Sequence, residues 1–372
     1  FQDVSRETLK KFIKKTPFVF YHKGRLFHVK LYLDNGYFNI PGIIATGQPF
    51  IFIWGGRGTG KTYGALKEAV ESGVKFGLMR RTQSQLDLIS KPEFSPFKPI
   101  NKDMGWDVGI VPLSKYNGGI YKMENVDGKK CATGSPIGYT FALSTIANVR
   151  SFDGSDIELL IYDEFIPEPH ARPIKEEHEA FLNAYETINR NRELQGRKPL
   201  QVLCLANANT LANPLFIGLN LVTRAERMNR TGQEYSIDYK RGVVMVNLCK
   251  SSISEQKRDT ALYRLTGDNS FARMALSNDF SGEDERGKIG SKPLIEYRPI
   301  VIIGELCIYK HKNLQLFYCS THVTGSPPIF GVGETERMRF RRVYNWLWTA
   351  YLDNKMEFEE RFCEILLTKY FS

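Results

Sequence analysis

Phe50-Ile51-Phe52-Ile53-Trp54-Gly55-Gly56-Arg57-Gly58-Thr59-Gly60-Lys61-Thr62 is the stretch of this 372-residue chain that decides the fold. Its first five residues form a short continuous apolar run, the pattern of a strand buried on both faces of a parallel sheet. The glycines follow at once. Beyond them Ala65, Leu66, Ala69 and Val70 recur at helical spacing. Strand, glycine-rich loop and helix come in the order of a phosphate-binding loop, and Gly55-x-x-x-x-Gly60-Lys61-Thr62 satisfies that pattern in full. The chemistry explains the residue types. Glycines let successive backbone N–H groups of Gly55, Gly56, Arg57, Gly58, Thr59 and Gly60 turn toward one anion, and the helix presents its positive end to the same anion. Lys61 reaches the β- and γ-phosphates, and the Thr62 hydroxyl ligates Mg²⁺. The plain alternative, a glycine-rich turn that only caps a helix, does not explain the lysine and threonine at their places.

Outward from this loop the alternation continues. Phe76-Gly77-Leu78-Met79 reads as the next strand and ends at Arg80-Arg81. Leu159-Leu160-Ile161-Tyr162 is another, ending at Asp163-Glu164. Phe181, Ala184, Tyr185 and Ile188 mark one face of a helix over 174–192. Leu200 to Leu205 is a further apolar strand, running into Asn207-Ala208-Asn209. Strands alternating with helices predict an α/β domain with a mostly parallel sheet. Two carboxylates closing a buried strand suit nucleotide hydrolysis: Asp163 to hold Mg²⁺ through water, Glu164 to orient and deprotonate the attacking water. A strand-end turn with two solvated acids is the other reading. No Asn-Lys-x-Asp stretch follows, so GTP specificity has no support. Asn207, at a strand end, suits a hydrogen bond to the γ-phosphate or the lytic water; Asn-Ala-Asn before Asn213-Pro214 is equally good turn chemistry. Arg190 and Arg192 at the helix end fit either dipole complementation or an arginine offered to a neighbouring subunit's nucleotide. Arg80 and Arg81 suit a DNA path or a strand cap; Lys129, Lys130 and Arg150 are basic loop residues.

The remainder divides less sharply. Residues 1–47 form an N-terminal extension, with a helix-compatible stretch Ser5–Lys15 and a hairpin around His22-Lys23-Gly24-Arg25. Residues 92–140 read as irregular and hairpin-like, with turn signals at Asn117-Gly118 and Asp127-Gly128. The α/β domain spans 48–222, a partly helical linker 223–285, and an α+β domain 286–372. The linker's two polar helices over 254–280 are interrupted at Gly267. The last domain carries strands at 300–303, 306–309 and 314–318, then helices at 334–351 and 355–371. No run approaches the ~20 apolar residues of a membrane helix, and no leader is visible. Six scattered cysteines with no CxxC pair read as reduced thiols of a cytosolic protein, and six histidines without ligand spacing argue against zinc. A net charge of +10 permits an acidic partner without demanding one.

Taken together, Gly55–Thr62, Met79-Arg80-Arg81, Ile161-Tyr162-Asp163-Glu164-Phe165, Arg190-Asn191-Arg192-Glu193, and Leu205–Asn209 leading to Asn213-Pro214-Leu215-Phe216 resemble the genome-packaging (DNA encapsidation) ATPases of small short-tailed phages, the phi29-like group. The resemblance covers about 50–220. It implies a P-loop ATPase of the additional-strand, RecA-like type that uses ATP and Mg²⁺. It implies a homo-oligomeric ring, a pentamer, at a viral portal, driving double-stranded DNA into a procapsid in the host cytoplasm, with no membrane partner. It implies that Arg190 acts in trans and that Arg150 matches a functional basic position. It also implies a C-terminal domain like a reduced RNase H-type nuclease. Ile300-Val301-Ile302-Ile303 has no acid before Glu305, so nuclease activity is not expected. A helicase or initiator ATPase, and a non-catalytic nucleotide-gated adaptor, are the alternatives.

Overall fold

Nine strands make one sheet in a computed structural model that describes residues 19–22, 25–28, 30–149, 152–168, 171–266 and 290–371. Ahead of the sheet, β1 (Val19–His22) and β2 (Arg25–His28) pair antiparallel with His22 opposite Arg25, as the turn there predicts. The helix expected over Ser5–Lys15 lies outside the described residues. Helix α1 (Ile40–Ile44), capped by Asn39, leads into β3 (Phe50–Gly55), α2 (Lys61–Glu71), β4 (Phe76–Arg80), α3 (Gln83–Ile89) and α4 (Lys98–Met104). An antiparallel meander follows: β5 (Val108–Pro112), β6 (Asn117–Val126) and β7 (Lys129–Ala142). Then come β8 (Leu159–Asp163), α5 (Glu177–Asn189), β9 (Gln201–Asn207), α6 (Pro214–Gly218), α7 (Val222–Thr231), β10 (Tyr235–Asp238) and β11 (Val243–Leu248).

Across the sheet the order is β10-β11-β3-β9-β8-β4-β7-β6-β5. The six strands from β11 to β7 run parallel, and β10, β6 and β5 are antiparallel additions at the two edges. Side chains alternate along β3, so one strand feeds two cores. Phe52 and Trp54 pack with Phe181 of α5 and Phe216 of α6. Ile51 and Ile53 pack with Ala65 and Leu66 of α2 and with Ile40 and Ile43 of α1. Burial on both faces is why these strands read as unbroken apolar runs.

The sheet does not end where the strand–helix alternation ends. The expected linker over 223–285 instead begins with α7 and two more strands, and β11 runs parallel beside β3, with Val243 opposite Phe50 and Leu248 opposite Gly55. Helices α8 (Ser252–Lys257) and α9 (Ala261–Thr266) follow, both before Gly267. The Gly267 break and the rest of the expected linker to 285 lie outside the described residues. In the meander, Asp127-Gly128 is the two-residue turn joining β6 to β7, with φ of 50° and 78°. Asn117-Gly118 does not turn: it opens β6, because residues 113–116 reverse the chain and the Leu113 and Ser114 N–H groups donate to the Asn117 carbonyl.

A second sheet has the order β15-β12-β13-β14-β16. Its members are β12 (Tyr297–Ile303), β13 (Leu306–His311), β14 (Phe317–Ser320), β15 (Ile329–Phe330) and β16 (Met356–Phe358), with helices α10 (Glu334–Leu352) and α11 (Arg361–Phe371). The helix expected from 355 is preceded by β16, whose Met356 and Phe358 are buried. Glu305, between β12 and β13, joins the two sheets' layers: its carboxylate accepts from the Val222 and Thr223 N–H groups at 2.8 and 3.1 Å, the start of α7. It is thus committed as a helix cap. Replacing it (Glu305→Ala) orphans two N–H groups, and a loss of about 1 kcal/mol, read as a lower urea midpoint, is expected.

Candidate active site

Strand β9 lies between β3 and β8, so the loop after β3 and the acids closing β8 emerge at the same end of the sheet. The register is tight. Gly55 stands opposite Asn207 and Asp163 opposite Leu205. Carboxyl ends of parallel strands are where such sheets take ligands.

Two glycines shape the loop. Gly58 and Gly60 hold φ of 75° and 87°, a left-handed backbone that side chains resist. Lys61 is buried, and its Nζ donates to the carbonyls of Gly55 (3.1 Å) and Gly56 (2.8 Å) and to Thr59 Oγ1 (3.3 Å). Burial pushes its pKa down to about 7 against the opposing pull of Asp163. The Thr62 hydroxyl donates to both oxygens of Asp163, at 3.0 and 3.1 Å. A hydroxyl and a buried carboxylate in contact are hard oxygen donors of the kind Mg²⁺ takes, so the residues present fit that ion.

Glu164 takes a left-handed φ of 61° and turns its half-exposed carboxylate back over the strand end. Two side chains hold it. Arg80 Nη1 lies 3.1 Å and Gln85 Nε2 3.1 Å from Glu164 Oε2, while Arg80 Nη2 lies 3.3 Å from Asp163 Oδ2. Arg80 therefore bridges the two acids. Its neighbour Arg81 is buried in a two-bond pair with Glu177, at 2.7 and 2.8 Å. Neither partnership was legible from spacing, because the partners lie 83 to 96 residues apart.

The segment before β3 also belongs to this end of the sheet. The Phe38 N–H donates to the Thr59 carbonyl at 3.1 Å, and the Tyr37 ring occupies the space that a side chain at Gly60 would need. Arg57, in the loop, pairs with Glu168 at 2.7 Å across the surface. Asn207 is half-buried beside Gly55, while Asn213 caps α6.

Arg190 stands elsewhere. It follows α5, which runs back from the β8 end toward the start of β9, and its guanidinium donates to the Phe152 carbonyl (2.9 Å) and meets Asp153 at 3.4 Å, ahead of β8. Within one chain it is therefore at the opposite end of the sheet from Lys61. Arg192 is buried against the Ser155 carbonyl at 2.9 Å and anchors that turn. Arg150 lies outside the described residues. Along α10, Arg337, Arg339 and Arg341 are engaged with Glu176, Glu334 and Glu336. Four of the cysteines are buried free thiols; Cys131 is exposed and Cys249 half-buried. No helix among the described residues is long and apolar enough to cross a membrane.

Three comparisons bear on this geometry. The DNA packaging protein of Bacillus phage phi29 is 24% identical over 239 residues, 63% of this chain and 63% of that relative. The match therefore spans less than two thirds of the relative's length. The solved bacteriophage Phi-29 viral genome packaging motor assembly superposes with a TM-score of 0.58 at 19% identity, over 90% of this chain and 98% of that one. The Phi-28 gp11 DNA packaging motor gives 0.57 at 18%, over 88% and 95%. These two likenesses establish a shared fold. The profile of the Podovirus DNA encapsidation protein (Gp16) family matches residues 33–290, so residues 33–47 of the expected N-terminal extension fall inside it. With more than half of its length matched, the chain belongs to the Podovirus DNA encapsidation protein (Gp16) family.

Proposed function

We propose that this chain is the ATPase subunit of a ring motor that drives double-stranded DNA into a viral procapsid. Its larger sheet is read as an additional-strand P-loop ATPase, β9 being the strand inserted between β3 and β8. The observation that carries the reading is the division of labour across the sheet. Lys61, Thr62, Asp163 and Glu164 converge at one end, and Arg190 waits at the other. The loop grips the triphosphate, Thr62 and Asp163 hold Mg²⁺, and Glu164 takes the proton of the attacking water. Mg²⁺ supplies charge neutralisation of the β- and γ-oxygens when bound. Arg190 faces away from its own nucleotide, which suits donation to a neighbour in a homo-oligomeric ring, taken as a pentamer. Asn207 beside Gly55 is read as a contact to the γ-phosphate. DNA contacts are expected to be to phosphates, hence steeply salt-dependent. The family and the packaging proteins among its relatives support portal and procapsid as partners, in the host cytoplasm.

The second sheet is read as a reduced RNase H-like domain without nuclease activity. Within its order β16-β14-β13-β12-β15, the run β14-β13-β12-β15, with β15 parallel to β12, supports this, and Glu305 is spent on α7. The absence of a helix between β14 and β15 departs from that fold.

The test is ATPase rate against protein concentration, with and without duplex DNA. Specific activity should rise cooperatively with concentration and rise further with duplex. A constant specific activity would count against an interfacial site, and stimulation by single strands alone would favour a helicase.

A further inference from the structure

We propose that Arg337, near the start of α10, is a positioning residue for the catalytic acids, acting on Glu164 through a chain of ion pairs that runs from the second sheet's layer to the first. This rests on the ATP reading above and adds a control residue to the same site.

Every link of the chain is a direct contact or a single peptide. Arg337 Nη2 lies 3.0 Å from Glu176 Oε1. The next residue, Glu177, takes two bonds from Arg81, at 2.7 and 2.8 Å. Arg81 follows Arg80 directly, and Arg80 reaches Asp163 at 3.3 Å and Glu164 at 3.1 Å. At the other end Phe340 of α10 packs edge-on against Phe330 of β15, so α10 is tied to the second sheet. Two consecutive arginines and two consecutive glutamates thus connect that sheet to the side chain that bridges the acids.

The middle of the chain is stiff and its outer end is open. Arg81 and Glu177 are 3% and 2% exposed, and Arg81 Nη1 also donates to the Arg172 carbonyl at 2.9 Å. Parting a buried two-bond pair is costly, so these two residues move together. Arg337 offers Glu176 only Nη2, which it shares with Glu334 at 2.9 Å. Its Nε and Glu176 Oε2 are both buried without a hydrogen-bond partner among the described residues. An arginine fork meets a carboxylate with two parallel bonds when it is free to, as Arg81 does, and closing the second bond here would satisfy two orphaned atoms. The pair therefore has a fully bonded arrangement within reach, one that draws Glu176 toward α10. Glu176 also holds a left-handed φ of 48°, a strained backbone immediately ahead of α5. Opening or closing of the Arg337 fork is thereby carried to Glu177, Arg81 and Arg80.

The experiment measures ATP turnover and Mg-ATPγS binding by the full chain at the concentration of greatest wild-type turnover. Arg337→Ala should lower kcat about tenfold, while KM and the ATPγS affinity move less than about twofold. Glu176→Gln, which keeps its shape, should give the same loss, and the double variant no more than either single. Either single variant carries the test if the other fails to fold. Arg337→Lys keeps a charge on Glu176 and should hold kcat within about threefold of wild type. An unchanged kcat, a matching loss of ATPγS binding of the kind a general loosening brings, losses that multiply in the double variant, or a lysine no better than alanine overturns the proposal. If the wild-type chain neither binds nor hydrolyses ATP, the ATP reading itself falls, a result distinct from the other four.

Discussion

Glu164→Gln is expected to bind Mg-ATP as tightly as the wild-type chain and to hydrolyse it about a hundred- to ten-thousand-fold more slowly. The reason lies in what the substitution keeps. Glutamine has the same shape, so the left-handed turn at 164 and the contact from Gln85 have the same room. It has no charge for Arg80 to hold, but Arg80 retains Asp163. Lys61 and the Thr62–Asp163 pair, which bind the nucleotide and Mg²⁺ in this reading, are untouched. Only the ability to accept a proton from water is removed. Single-turnover hydrolysis separates the two effects: the bound ATP should persist. Wild-type turnover would remove Glu164 from the role of base and leave the water to another group at this end of the sheet.

The geometry adds a refinement. Arg80 and Gln85 both hold the Glu164 carboxylate, and neither shares its strand. A base in this place must turn an oxygen to water, and Oε2 is engaged by both side chains. Release of Glu164 from Arg80 is then a step that can be gated, and the side chains needed for it are already in contact.

Local signals carried much of this architecture. The loop is legible because it packs strand, glycines, lysine and helix into about a dozen residues, and each parallel strand is legible because burial on both faces leaves an unbroken apolar run. The acids at 163 and 164 follow from a strand end. What was hidden depends on distant partners. Val243-Val244-Met245-Val246 is as apolar as β3, but its partner lies 193 residues earlier, and no periodicity relates the two. The pairing had no local mark, so the sheet seemed to stop near 222. Arg80 looked like any cation at a strand end; its meaning comes from β8 standing beside β4. Tyr37 and Phe38 reach the loop from a segment whose own composition reads as extension. Topology created these contacts, and topology is what a single sequence reveals last.

Arg190→Ala should cost an assembled ring about a thousandfold in turnover while leaving the isolated chain's fold and nucleotide binding intact. The placement argues for both halves. Helix α5 carries 13 residues, about 20 Å of helix, from the β8 end of the sheet toward the amino end, so the arginine cannot reach its own loop without unfolding that helix. Its present partners are two backbone carbonyls, of Thr187 and Phe152, and Asp153, a largely exposed acid, contacts that contribute little to stability and are readily surrendered to a neighbour's phosphate. A residue acting in trans has a signature that a structural residue lacks. Rings of Arg190→Ala alone and rings of Glu164→Gln alone should both be slow, for different reasons. Mixed together they should recover turnover, because a Glu164→Gln subunit still offers Arg190 to the intact acids of its Arg190→Ala neighbour. If the mixture stays as slow as either parent, the arginine serves its own chain or none, and the shared site between subunits is lost from the mechanism.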